Sequence, residues 1–594
     1  MSDTPAALQF TEAELLGKVA SVDTSRVSID VSNPVLLTRI GIGNLIAVRG
    51  STEREYLIAV TERVTRSIRD ELADELPEEG EDLGLISVPT DLVRAALIGT
   101  FRTVDGDKKN TFKRGADSFP QIDRECYVID AANLQRFMGI LGADFPENER
   151  LKLGMFVADR SAEAIVSGDK FFQRHAAILG STGSGKSYAV ALILERAAKL
   201  RFPNIIVFDM HGEYAPLADA KSGGFARRFR IAGPGDLENP DDDALFLPYW
   251  LLNRDEMLSM ILDRSDQNAP NQASRFTLHV RTLKQETLEG EDKPEVVKTF
   301  TVDSPVPYAI NDLVALLNTD NTTKGQGKNG PIKGEWEGKL TRFISRLEAK
   351  LDDRRYGFMF MPPAKANTYG WLAAQVAKLL GSNGGDGIKV IDFSEVPSDV
   401  LPVVTGTLAR LLYDVQFWMD AAMRTPITLL CDEAHLYLPV HDDADAVQRQ
   451  ALGAFERIAK EGRKYGFSLL VVSQRPSDVS KTILSQCNNF LSLRLTNDTD
   501  QSVIKRLMPD SLAGLTSILP LLDTGEALML GDAVLLPSRI RLDKPMIPPD
   551  SATRDFWTEW GKLAPDVAAI NLAVEALRSQ TRPKPTGSIS PNAE

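Results

Sequence analysis

Apolar and polar residues alternate with period two over several short runs near the start of the chain. Residues 17–22, 26–31, 44–48 and 55–60 each read as a strand with one buried face, and Arg49-Gly50-Ser51 separates the last two. Several short strands at close spacing predict a small β-barrel over residues 1–165. Its role is either packing or docking a partner and assembling a ring. The acidic stretch 70–82 reads as a solvated loop. From about residue 171 the pattern changes to strand and helix in alternation. The apolar runs 205–208, 388–391, 427–431 and 467–472 end in Asp209, Asp392, Asp432-Glu433 and Ser473-Gln474 respectively. Nearly continuous apolar strands with polar residues past their carboxyl ends predict an α/β fold, a mostly parallel sheet with a ligand at that edge.

This core occupies residues 166–244 and 386–560, interrupted by an insertion at 245–385 with helical periodicity at 250–261 and 340–351. Inside the insertion, residues 321–339 are rich in glycine and lysine (Lys324, Lys328, Lys333, Lys339). They read as a mobile solvent loop, with contact to a phosphate backbone as the alternative. A C-terminal extension, 561–594, becomes polar and disordered from Arg578.

One run carries chemistry. After the apolar residues 176–179 come Gly180, Ser181, Thr182, Gly183, Ser184, Gly185, Lys186 and Ser187, followed by a helix over 188–200 that opens with Tyr188. This is a complete phosphate-binding loop between a strand and a helix. Glycines let successive main-chain N–H groups converge on a phosphate, and the helix N-terminus adds its positive dipole end. Lys186 reaches the β- and γ-phosphates, and the Ser187 hydroxyl ligates Mg²⁺. The expected cofactors are ATP and Mg²⁺.

Hydrolysis needs more than a cradle. Asp432 and Glu433, at the end of an apolar strand, supply one carboxylate for the metal and one general base for the attacking water. Gln474 ends the next strand, where an amide senses the γ-phosphate or caps the following Arg475-Pro476. Arg463, on a short turn before that strand, serves either as a finger on a neighbouring subunit's phosphate or as a surface ion pair. Glu213 is the better functional candidate beside Asp209; His211 and Tyr214 are as readily structural.

Composition narrows the rest. The chain has 594 residues and a net charge of −14, which argues against an extensive nucleic-acid surface but leaves room for a small one. Its three cysteines, Cys126, Cys431 and Cys487, have no metal-ligand spacing, and no apolar run reaches the length of a membrane span. With no secretory signal pattern in residues 1–10, the expected location is the cytoplasm and no membrane contact is expected.

Residues 174–187, 209–214, 432–435, 461–466, 473–476 and 531–539 together resemble the HerA-type ATPases of the HerA/FtsK group. The resemblance covers about 171–560, and the β-rich start matches by pattern only. It implies a RecA-like core, a homohexameric ring with ATP between subunits, and DNA passing through the pore. It carries over Lys186 and Ser187 as phosphate and metal ligands, Glu433 as base, Gln474 as sensor and Arg463 as the trans finger. Such proteins work with a separate nuclease, or with a sirtuin-like or other effector, in DNA end processing or anti-phage defence. The implied function is an ATP-driven DNA translocase or helicase; the alternative is an ATP-regulated ring scaffold that activates an effector with little translocation.

Overall fold

The computed structural model describes residues 8–52, 54–72, 85–103, 110–115, 118–143, 145–158, 160–327, 330–381, 387–442, 444–508, 510–551, 555–561 and 566–580. The chain divides into two compact units: residues 1–197, 470–478 and 484–546, and residues 198–469, 479–483 and 547–594.

The first unit begins with the expected barrel. Strands Arg26–Val31, Leu15–Val22, Glu125–Val128, Leu45–Arg49, Glu55–Leu72 and Leu85–Thr103 follow one another in that order. The first and last of these also pair, Arg26 opposite Ala96 and Asp30 opposite Leu92, which closes the cylinder and removes its edges. The period-two pattern places Leu16, Val19, Val27, Ile29, Ile46, Val48, Leu57, Ala59, Val93 and Ala95 in one interior cluster. Asp70, Glu71 and Leu72, expected in a solvated loop, instead extend a strand paired with Leu85, Ile86 and Ser87. The rest of the acidic stretch lies outside the described residues.

Two further strands, Arg150–Phe156 and Glu163–Ser167, fall within the stretch that reads as barrel, yet they pair with the α/β sheet through Ser538–Leu542. That sheet is mixed in this unit. The phosphate-loop strand Ala176–Leu179 runs parallel to Leu470–Ser473 on one side and to Asn489–Ser492 on the other. Beyond Asn489–Ser492, Glu526–Gly531, Ser538–Leu542, Arg150–Phe156 and Glu163–Ser167 are all antiparallel. Residues 531–539, one of the stretches that carry the resemblance, contain the end of one strand, a connection and the start of the next.

In the second unit the sheet is wholly parallel, in the order Ala244–Leu245, Ala226–Ile231, Ile388–Asp392, Ile205–Asp209, Ile427–Cys431. Parallel strands covered on both faces need continuous apolar sequence, which is why these central runs are legible. The edge strand Ala226–Ile231 reads ARRFRI and gives no such signal. Helices Leu401–Trp418 and Ala446–Glu461 pack closely: a Cβ on Gly406 would sit 2.7 Å from the Ala451 Cα.

The insertion is helical as expected. A turn at Tyr249–Leu251 precedes the helix Arg254–Ile261, whose start is set by a reciprocal Asn253–Glu256 capping box. Thr341–Asp352 buries Phe343, Ile344 and Leu347 on one face. Between them lie the helices Ala269–Gly290 and Ile310–Thr322. The lysine-rich segment, whose composition suggests a mobile loop, forms a β-hairpin, Gly325–Gly327 with Gly330–Ile332. The tail keeps a helix, Val567–Ser579, past Arg578; residues 581–594 lie outside the described residues.

A side chain at Gly406 has to push two helices apart. Gly406→Val is expected to cost about 1–3 kcal/mol of stability, the usual penalty of overpacking, read as a lower urea midpoint with an unchanged slope.

Candidate nucleotide site

The first unit builds the phosphate cradle. Four buried residues, Ala176 to Leu179, end at a loop whose main chain is tied down from three directions. Gly180 N–H donates to the Ser473 carbonyl (3.2 Å), Ser181 N–H to that of Arg494 (2.8 Å), and Gly525 N–H to the carbonyl of Ser184 (3.1 Å). Gly183 and Gly185 have φ of +72° and +103°, values a side chain resists, and these turn the loop back on itself. The helix Lys186–Ala197 starts at the loop's end, with Ala189 N–H donating to the Gly185 carbonyl (2.9 Å). The loop therefore offers an N-terminus with unfilled N–H groups in the curved form that accepts an anion.

Lys186 is only 8% exposed and has no ion-pair partner among the described residues. A buried ammonium without a carboxylate is costly unless an anion completes it. The Ser184 hydroxyl is buried without a hydrogen-bond partner among the described residues. Ser187 is half-buried beside Lys186, and Tyr188 is exposed on the helix's first turn. The Thr182 hydroxyl donates to the Gln474 side-chain carbonyl (2.6 Å), so the structure brings the amide to the loop.

The second unit gathers carboxylates. Asp209, fully buried at its strand end, accepts main-chain N–H bonds from His211 (3.3 Å), Gly212 (2.8 Å), Glu213 (3.1 Å) and Tyr214 (3.0 Å). This shapes the turn that carries Glu213. Burial nevertheless pushes the Asp209 carboxyl up to about 6, against the pull of those donors. Asp432 follows the neighbouring strand, its N–H bonded to the Phe208 carbonyl (3.2 Å). Its carboxyl is raised well above the ordinary range by burial first, then by the charges of Glu433, Asp209 and Glu213. Like charges buried together raise one another's pKa, and a nearby cation lowers it again.

Glu433 has φ +43° and ψ +45°, a left-handed conformation rare outside glycine and costing about 1–3 kcal/mol. Its carboxylate stands 3.2 Å from the His435 Nδ1. The Tyr437 hydroxyl donates to the Asp432 main-chain carbonyl (3.1 Å) and holds the turn from beneath. Among the described residues, no three of these side chains converge to hold an ion by themselves. Mg²⁺ is usually held by one or two protein groups, water and the phosphates of its nucleotide. Tyr214 is fully buried and structural, while His211 is exposed. Arg463 lies on the turn Gly462–Tyr465, exposed and without an ion-pair partner among the described residues.

The chain's central part, residues 151–412, matches the family model described as the central domain of the helicase HerA. That stretch is therefore similar to the HerA central domain. The chain is similar to a probable helicase of Methanocaldococcus jannaschii, 26% identical over 458 residues that make up 75% of this chain and 76% of that protein. Two DNA double-strand break repair helicases HerA are also similar. That of Sulfolobus acidocaldarius is 27% identical over 62% of this chain and 65% of its own length; that of Pyrococcus furiosus is 24% identical over 66% and 70%. The chain thus aligns to about two thirds to three quarters of these relatives. Among solved structures, VirB4 of Thermoanaerobacter pseudethanolicus aligns with a TM-score of 0.44 and 17% identity over 70% of this chain and 99% of that one. The plasmid coupling protein TrwB in complex with ADP and Mg²⁺ gives 0.41 and 15% over 69% and 94%.

The part of the chain that matches the family model holds the phosphate loop, Asp209 and Glu213. Asp432, Glu433, Arg463 and Gln474 lie beyond its end. Sequence reasoning misses the braces on the loop, Arg494 and Gly525, because they act through main-chain groups that any residue supplies. It also assigns no role to Asp392, buried at the end of the strand beside Asp209 and paired with Arg228. Gly185→Ala forces a Cβ into a backbone region that costs about 1–3 kcal/mol. The expected result is at least about ten-fold weaker binding of a fluorescent ATP analogue, with far-UV circular dichroism unchanged.

Proposed function

We propose that this chain is a HerA-type ATPase that uses ATP hydrolysis to move along or unwind DNA, as a ring of identical subunits, in concert with a separate nuclease or other effector. The observation that carries the reading is Lys186, a buried ammonium with no carboxylate partner among the described residues, at the end of a loop rich in main-chain donors. A nucleoside triphosphate supplies the missing negative charge. The names of the relatives, repair helicases among them, supply the DNA.

In this reading Lys186 and the loop N–H groups hold the β- and γ-phosphates. Ser187 and Asp432 are the residues that would hold Mg²⁺, whose charge would offset that of the phosphates. Glu433, its carboxylate beside His435, takes the proton of the attacking water. Gln474 senses the γ-phosphate from its bond to Thr182. Asp209 shapes the turn that presents Glu213 toward the metal's water shell. Arg463 is exposed and unpaired among the described residues, which supports its use on the nucleotide of a neighbouring subunit.

Lys186→Ala is expected to abolish ATP binding and DNA-stimulated hydrolysis together. Glu433→Gln keeps nucleotide affinity while turnover falls by about 10²-fold or more, the range for loss of a general base. Full turnover in either variant contradicts the assignment. Loss of an arginine finger costs about 10³–10⁵ in kcat, so Arg463→Ala rings should be nearly inactive. Mixing Arg463→Ala with Lys186→Ala subunits should recover part of the activity, because some interfaces then pair an intact loop with an intact finger. Mixed rings that form but stay inactive rule out action across the interface.

A further inference from the structure

The lysine-rich hairpin of the insertion has no role in the ATPase chemistry, yet it is carefully built. Its base is fixed by Asn321. The Asn321 side-chain oxygen accepts the Leu340 N–H (3.0 Å), its amide donates to the Thr341 hydroxyl (3.0 Å), and its main-chain carbonyl accepts the Gly338 N–H (3.0 Å). Glu337 accepts the Gly334 N–H (3.0 Å), and Gln272 on the helix Ala269–Gly290 donates to the Lys339 carbonyl (3.1 Å). Arg275 and Lys339 lie 5.3 and 5.5 Å from the centre of the Trp336 ring, and Asp320 holds Arg275 at 2.6 and 2.9 Å. The two strands approach closely at their root: a Cβ on Gly334 would lie 1.9 Å from the Thr323 carbonyl oxygen.

From this base the strands pair Gly325 with Ile332, Gln326 with Pro331 and Gly327 with Gly330. Continued by one residue, that register sets Lys324 opposite Lys333. Like charges at opposed positions of a two-stranded ribbon destabilise it. Both lysines are exposed, and neither has an ion-pair partner among the described residues. The hairpin gains little from burial in return, since Ile332 is 55% exposed and a lone two-stranded ribbon is marginal by itself. Between residues 321 and 342 the chain places five lysines and arginines against two glutamates, in a protein whose net charge is −14.

We propose that this hairpin is a contact for the phosphate backbone of DNA, with Lys324 and Lys333 each neutralising a phosphate; the proposal rests on the DNA-handling reading above. A phosphate beside each ammonium group offsets the repulsion between them. Lysines act there as point charges, so the contact is independent of base sequence. Trp336 is already engaged by its two cations, which leaves charge, not base stacking, as the basis of binding. The three glycines keep the ribbon thin enough for a nucleic-acid strand to lie against it.

The test is fluorescence anisotropy of the full-length protein on a labelled mixed-sequence duplex, with a non-hydrolysable ATP analogue, across a series of salt concentrations. The Lys324→Ala/Lys333→Ala variant should lower the slope of log affinity against log salt by about two, near 0.9 for each phosphate that is no longer neutralised. Its affinity at low salt should fall about ten-fold or more. Lys324→Gln/Lys333→Gln, which keeps the stems, should behave like the alanine pair, and Lys324→Arg/Lys333→Arg should keep the wild-type slope. A wild-type protein that binds the duplex with a slope unchanged by either neutral pair overturns the hairpin contact, leaves the DNA-handling reading standing, and points the lysines to an acidic protein surface. A wild-type protein with no salt-dependent affinity for the duplex overturns both.

Discussion

Uncompensated buried charge is the constraint on which the functional parts of this protein depend. In one unit, a loop with two glycines at positive φ ends on a buried lysine that no carboxylate of the described residues completes. In the other, Asp209 and Asp432 are driven by burial toward protonation, and Asp432 is repelled further by Glu433 and Glu213. Burying a charge costs free energy that burying apolar residues of the same size would not. In the proposed function an anionic phosphate would supply the charge that Lys186 lacks.

The scaffold is arranged to bear that cost. The phosphate loop is held by main-chain bonds to Ser473, Arg494 and Gly525, so its curvature does not rely on its own side chains. The Asp209 turn is held by four N–H donors, and the Asp432 turn by Tyr437 from below. Strain at Glu433 is local and is offset by the continuous apolar strand that precedes it, each residue of which is buried. Rigid, fully buried strands that end in polar turns are what allow a few atoms to be placed with high precision.

The barrel and the insertion follow other rules. The barrel closes on itself, and its interior is filled by alternate residues of six strands. The insertion is a set of amphipathic helices whose apolar faces meet, as in Phe276 against Phe343 at 6.1 Å. Its exposed hairpin is the opposite kind of structure, polar and charged on a fixed base. Among the described residues no helix is long and apolar enough to cross a membrane.

What the sequence determined by itself was the chemistry carried by side chains in local order. The run from Gly180 to Ser187, the pair Asp432-Glu433 and the apolar strands before them needed no partner to be read, since each depends on neighbours in the chain. The tertiary structure decided what depends on distant main chain. It set the antiparallel half of the sheet, where Arg150–Phe156 leaves the barrel to join Ser538–Leu542. It brought the carbonyl of Arg494 and the N–H of Gly525 to the phosphate loop, and it paired residues 325–327 with 330–332 in a stretch that composition alone reads as loose. Pairing across hundreds of residues is made by backbone groups that every residue shares, so no pattern of side chains records it.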